Sequence, residues 1–234
     1  MKRHFEEELK QLQEKLFRMG LLVEEAIRKA TEALLDRDSR RAQDVIRNDQ
    51  EINLQEIEID EMGHEFIALH QPAAADLRLI TMMLKINNDL ERMADQAVNI
   101  AEKAIVINQE PPFKASRALI ELSQASLRIV RDALDAFIEV DPAKARDILE
   151  RDDQIDDLND RLYDELQNLM QEHPEHVRAA VSLIMISHNL ERIGDLATNI
   201  AEDVIYVKRG VDVRHHIRER REDQPPPQDP RHAT

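Results

Sequence analysis

Apolar residues recur at helical spacing along almost the whole chain. Phe5, Leu9, Leu12, Leu16, Met19, Val23, Ala26, Ala30 and Ala33 step alternately by four and three. That pattern predicts one helix with a coiled-coil-like seam about 45 Å long. Asp38-Ser39 then offers an N-cap to a second helix, in which Val45, Ile52, Ile59 and Phe66 recur at strict sevens. Its other seam position is polar at Asn48 and Gln55, so this helix is only partly apolar toward its neighbours. Gln71-Pro72 ends it, because the residue before a proline is pushed out of the helical region. A third helix is predicted from about Asp76 to Asn108, and Pro111-Pro112 closes the unit. No run alternates at the strand period.

The plan then repeats. Ile27, Ala30, Ala33 and Leu34 match Val130, Ala133, Ala136 and Phe137 at an offset of 103, and Asp38 matches Asp141. The heptad recurs at that offset as Ile148, Ile155, Leu162 and Leu169, with Pro142 at the first position of helix five, where a missing N–H costs nothing. The third helix repeats at an offset of 100: Asn88-Asp89-Leu90-Glu91-Arg92-Met93-Ala94-Asp95 returns as His188-Asn189-Leu190-Glu191-Arg192-Ile193-Gly194-Asp195. The register continues through Asn99/Asn199, Ile100/Ile200 and Glu102/Glu202. The predicted fold is all-α, with two tandem three-helix bundles at 1–109 and 110–209 joined by short loops. Beyond Gly210 the periodicity stops, and the Pro-rich residues 210–234 are expected to be a disordered tail.

Composition adds exclusions. The chain of 234 residues has a net charge of −16, which argues against nucleic acid, whose binding rests on cationic neutralisation of phosphates. It has no cysteine, so there is no disulfide, thiolate metal site or cysteine nucleophile. The N-terminus lacks the apolar core of a signal peptide, and no run reaches about 18 uncharged apolar residues, so a cytoplasmic location is expected.

The charge becomes chemistry on the third helix of each repeat. Glu91, Asp95, Asn99 and Glu102 fall within about 80° on a helical wheel, at the flank of the apolar arc, with Arg92, Gln96 and Lys103 toward the expected solvent pole. Glu191, Asp195 and Asn199 repeat this stripe. Carboxylates four apart repel one another, and a bound cation would relieve them. Helix five adds Asp152 and Asp156, whereas helix two has Asp49 followed by the neutral Asn53, so the two sites are expected to differ in charge. Only the second stripe carries a nitrogen ligand, His188, where the first has Asn88. Asn99 and Asn199 are placed to orient or supply ligands. An oxygen-rich shell favours hard cations, iron, manganese or magnesium, over zinc. No nucleophile with a positioned base and no nucleotide loop accompanies these acids, so no enzyme is expected.

With Gln71-Pro72, Asp76-Leu77-Arg78, the two Leu-Glu-Arg-x-x-Asp segments ending in Asp95 and Asp195, and Gly210-Val211-Asp212-Val213-Arg214-His215, the chain resembles the PhoU family of bacterial phosphate-uptake regulators over residues 1 to about 216. The resemblance implies two tandem three-helix bundles and a repressor of phosphate-starvation signalling. It also implies partners in the phosphate ABC transporter and its sensor histidine kinase, with the membrane approached only through them, and multinuclear metal clusters at the acidic motifs. A homodimer is the expected assembly. Three other readings compete. One is a metal-free helical adaptor; a second is a histidine phosphotransfer protein using His188. The third, a di-iron carboxylate oxidase, is disfavoured because Glu61-Met62-Gly63-His64 has no partner copy.

Overall fold

The computed structural model describes residues 2–112 and 116–209. The segment expected to be a disordered tail, including the Gly210-Val211-Asp212-Val213-Arg214-His215 match, lies outside the described residues. Six α-helices follow in order: α1 Lys2–Leu35, α2 Ser39–His70, α3 Ala74–Asn108, α4 Arg117–Glu139, α5 Pro142–Glu172 and α6 Val177–Arg209, with a 3-10 turn at Pro174–His176. No strand occurs among the described residues. No helix among the described residues is long and apolar enough to cross a membrane.

The seams read from the sequence are the core. Leu12, Leu16, Met19, Val23, Ala30 and Ala33 of α1 are buried, as are Val45, Ile52, Ile59 and Phe66 of α2 and Ile148, Ile155 and Leu162 of α5. Burying each of the larger of these side chains, Leu, Ile, Val, Met or Phe, contributes about 1.5–3 kcal/mol. Leu169, the last of its heptad, is only partly covered.

The first turn of each repeat is built the same way. Arg37 and Val140, at the shared offset of 103, both take left-handed backbone (φ 55° and 48°). The Asp38 amide then donates to the Ala33 carbonyl at 2.9 Å, and the Asp141 amide to that of Ala136 at 3.0 Å, closing α1 and α4. Each aspartate caps the next helix, Asp38 accepting from the Arg40 and Arg41 amides and Asp141 from those of Ala143 and Lys144. In the first repeat this turn is also tied to the end of α3. The Arg37 guanidinium donates to the carbonyls of Ile107 at 3.1 Å, Asn108 at 3.0 Å and Glu110 at 2.6 Å, satisfying orphan acceptors at the end of that helix.

The two bundles pack side by side through equivalent helices. Lys85, early in α3, pairs with Asp203, late in α6, and Arg178 at the start of α6 pairs with Glu110 beyond the end of α3. α3 and α6 are therefore antiparallel. α1 and α4 cross in the same sense, with Glu24 paired to Arg131 and Gly20 pressed against Leu134. A Cβ at Gly20 would lie 2.6 Å from Leu134 Cδ2, so any side chain there would make Leu134 shift. Equivalent helices meeting antiparallel relate the repeats by an approximate two-fold axis, with α2 and α5 at the outer edges. This packing corrects the expectation for Gln96. It is buried rather than at a solvent pole, because that side of α3 faces the other repeat.

Candidate functional site

Each acidic stripe lies along a seam between the second and third helices of its repeat. In the first, Asp49 of α2 faces Glu91 and Asp95 of α3, and the proximity of these acids is felt in their protonation. The Glu91 carboxyl is pushed up first by burial and then by Asp95, Glu56 and Asp49. That of Asp49 is pushed up by burial, with a smaller contribution from Asp95, against the opposing hydrogen bond from Asn53. Glu56, seven residues beyond Asp49, is a member of this cluster that the sequence reading missed. Its signal was the spacing: Asp49, Asn53 and Glu56 share one face of α2 at intervals of four and three. Asn53 Nδ2 donates to Asp49 Oδ2 at 2.9 Å, leaving Asp49 Oδ1 and Asn53 Oδ1 both buried and without a partner.

The second seam sets Asp152 and Asp156 of α5 against Glu191 and Asp195 of α6. Burial pushes the Asp152 carboxyl up to about 6, helped by Asp156, Asp195, Asp153 and Glu191. Burial followed by Glu191 and Asp195 raises Asp156, and burial followed by Glu191 raises Asp195, with His188 and Arg192 opposing. Gly194 brings α6 close to α5, since a Cβ there would stand 2.9 Å from Ile155 Cδ1 and 3.8 Å from Asp152 Oδ1. His188 is exposed, and its Nδ1 lies 2.8 Å from Glu191 Oε2. With Glu56 included, the first seam gathers four carboxylates beside the four of the second, although the neutral Asn53 stands where the second has Asp156, and Asp153 adds to the charge felt by Asp152 and Asp156.

Other expected members are placed differently. Asn99 is exposed on α3. Asn199 lines a cleft of about 550 Å³ between the repeats, together with Asp60, His64, Lys85, Asn88 and Asp89, so it meets residues of the first repeat. Arg92 turns away from Glu91 and Asp95 to Asp89, 3.4 Å from Oδ1. Asp89 is itself buried at the contact between repeats, and burial raises its carboxyl to about 6 despite Arg92 and Lys85. Nothing in the periodic pattern of α3 distinguished this acid from a surface one.

The chemistry of the two seams fits hard cations. Their donors are carboxylate and amide oxygens, two buried oxygens at the first lack any partner, and the second holds carboxylates raised by burial and then by one another's charge. In the side-chain conformations described, no three Asp, Glu or His groups among the described residues gather tightly enough to hold an ion. Asp95, Asp156 and Asp195 are exposed. Side-chain rotation of exposed residues is fast.

A duplicated all-helical scaffold carrying an acidic seam in each repeat defines a two-repeat, helical-bundle class of protein. The chain belongs to the PhoU family: the PhoU domain matches it twice, at residues 16–104 and 119–204. It is 41% identical over 216 residues to a phosphate-specific transport system accessory protein PhoU homolog of Aquifex aeolicus, covering 92% of this chain and 98% of that one. It is 39% identical to the homolog of Pseudomonas aeruginosa, covering 90% and 88%. Its fold matches the crystal structure of PhoU from Pseudomonas aeruginosa with a TM-score of 0.83 at 38% identity, over 88% of this chain and all of that one (100%). The phosphate transport system regulatory protein PhoU from Streptococcus pneumoniae matches equally well, TM-score 0.83 at 31% identity, covering 89% and 99%.

Proposed function

We propose that this chain is a non-enzymatic, cytoplasmic negative regulator of phosphate uptake and phosphate-starvation signalling. It acts by binding the phosphate ABC transporter and its sensor histidine kinase, and it carries hard cations, iron, manganese or magnesium, at its two carboxylate seams. The observation that carries the reading is similarity along the whole folded length to accessory proteins of phosphate-specific transport systems. The long rigid helices and their charged edges suit docking. Glu91, Asp95, Asp49 and Glu56 would hold cations at the first seam, and Glu191, Asp195, Asp152 and Asp156 at the second, with His188 able to add a nitrogen there. Bound cations would relieve the repulsion among these acids and stiffen the seam. Deleting the gene should derepress a phosphate-starvation reporter in phosphate-rich medium, and the intact gene should restore repression. A reporter that stays silent in the deletion strain would overturn the regulatory reading.

A second reading, the metal-free adaptor, is favoured by one observation: the described carboxylates do not converge on a point in threes. Elemental analysis of the purified protein separates the two. Stoichiometric metal that disappears from variants lacking the acids supports the first, and metal at background in the wild type supports the second.

A further inference from the structure

The cleft between the repeats is charged in a way that the internal duplication does not explain. Its volume of about 550 Å³ falls in the range of pockets that hold ligands. Among the described residues its walls carry four carboxylates, Asp60 of α2, Asp89 of α3, and Glu202 and Asp203 of α6, with Lys85 between them. Asp89 and Asp203 are buried, and acids are rarely buried without compensating charge. Lys85 pairs with Asp203 at 3.0 Å and Arg92 with Asp89 at 3.4 Å, so the walls hold four acids to two fixed cations. The approximate two-fold axis puts the equivalent positions at the other end of the α3/α6 contact. There Tyr163, Asn189, Glu102 and Lys103 stand for Asp60, Asp89, Glu202 and Asp203. The acids are therefore concentrated at one end. It is the end at which α6 finishes, with Asp203 six residues, about 9 Å, before Arg209.

We propose that this cleft is the docking site of the chain's own basic segment, Arg214-His215-His216-Ile217-Arg218-Glu219-Arg220-Arg221. Charge and tether select the occupant. The segment carries four arginines against one glutamate in a chain of net charge −16. Guanidinium groups are the donors best matched to carboxylates, which they engage in a planar, two-pronged fashion. The tether is short. Four residues, 210–213, separate the end of α6 from Arg214, and a chain of five steps reaches about 16 Å, farther than the distance along α6 back to Asp203. On a short flexible tether the effective concentration is of millimolar order, so a few individually weak ion pairs suffice to hold the segment. Docked there, it joins α2, α3 and α6 across the junction of the repeats and closes their acids to other cationic partners.

The full chain has no cysteine, so two introduced thiols report only their own approach. Asn88→Cys puts one on an exposed position of the cleft wall, Ile217→Cys puts the other in the segment, and a short bis-maleimide joins them where the segment docks. Asp147→Cys with Ile217→Cys is the control. Asp147 is exposed on the acid-rich α5 and level with the same part of α6, because α5 runs antiparallel to α6 with Asp152 beside Gly194. The first pair is expected to link within one chain about 10-fold faster than the control or more. The excess should vanish in about 1 M salt, where the screening length falls to about 3 Å, and in Asp60→Asn with Glu202→Gln, two half-buried positions. Circular dichroism must show unchanged helix content in every variant. Equal rates at the two positions, an excess that survives the neutralised cleft, or linkage only between chains overturns the proposal. So does a cleft that takes up spermine in calorimetry while the segment links no faster than the control. None of these readouts involves phosphate signalling or metal content, so the docked segment and the regulatory reading stand or fall separately.

Discussion

The two acidic seams reach four carboxylates by different routes, and the difference shows how a duplicated site drifts without losing its charge. At the second seam the acids of α5 sit one turn apart, Asp152 and Asp156. At the first, that second position is Asn53, and the fourth acid is supplied three residues later by Glu56. The exchange changes the local electrostatics. Asn53 donates a hydrogen bond to Asp49 and restrains its carboxyl, whereas Asp152 is raised to about 6 first by burial and then by the like charges of Asp156, Asp195, Asp153 and Glu191. The first seam is held by an amide and carries orphan oxygens; the second is held against repulsion.

The largest expected effect breaks the seams one at a time. Glu91→Ala with Asp95→Ala should abolish cation uptake at the first seam and leave the second loaded, and Glu191→Ala with Asp195→Ala should do the reverse. Metal-to-protein ratios by elemental analysis check this, and unchanged ratios in both variants would remove the metal-binding reading. Helicity should persist in each, because the apolar seams are untouched.

Acidity sharpens the comparison next. The folded value of Asp152 is raised from 3.8 to about 6, so its contribution to stability is fully present below about pH 4 and is lost as pH rises through 6. In chelator-treated protein, the stability of the wild type relative to Asp152→Asn should fall by about 1 kcal/mol between pH 4 and pH 7, a figure already discounted for solvent screening of a half-exposed group. Asp49→Asn should show the same sign with a smaller amplitude. Denaturant titrations at the two pH values, with and without added cation, read both. A difference that grows with pH would contradict the assigned direction.

Making the first seam resemble the second should have a smaller effect. Asn53→Asp removes the amide that quiets Asp49 and adds a fifth carboxylate, so the metal-free protein should lose about 0.5–1 kcal/mol and the cation should bind more tightly. Thermal melts with and without magnesium would register opposite shifts. The smallest effect is expected from Gly194→Ala, which copies Ala94 of the first repeat. The helix gains about 1 kcal/mol in propensity, and the tightest contact of the new methyl is with the flexible far end of Ile155, Cδ1 at 2.9 Å, beside Cγ2 at 3.4 Å and Asp152 Oδ1 at 3.8 Å, so the net change should stay within about 0.5 kcal/mol.

Much of this was legible in the chain. Apolar spacing named the buried face of α1 and the heptads of α2 and α5, because each helix is long enough for its period to outweigh local exceptions. The Glu91/Asp95 and Glu191/Asp195 stripes were visible because the sequence states them twice. Glu56 was missed because it lies off the position where the second repeat keeps its acid. Gln96 was misplaced for another reason: it lies on a side of α3 that a single bundle would leave in water, the side on which the buried Asp89 also lies.

The sequence by itself determined the helices, their caps, the turns after α1 and α4, and the order of acids along each seam, all of which depend on residues within a few turns of one another. Only the tertiary structure decided how the repeats meet. Antiparallel packing of α3 on α6 and α1 on α4 buries Gln96, pairs Lys85 with Asp203, and carries Asn199 into a cleft with first-repeat residues. These contacts join residues as much as 118 apart in the chain, a separation that no helical period reports.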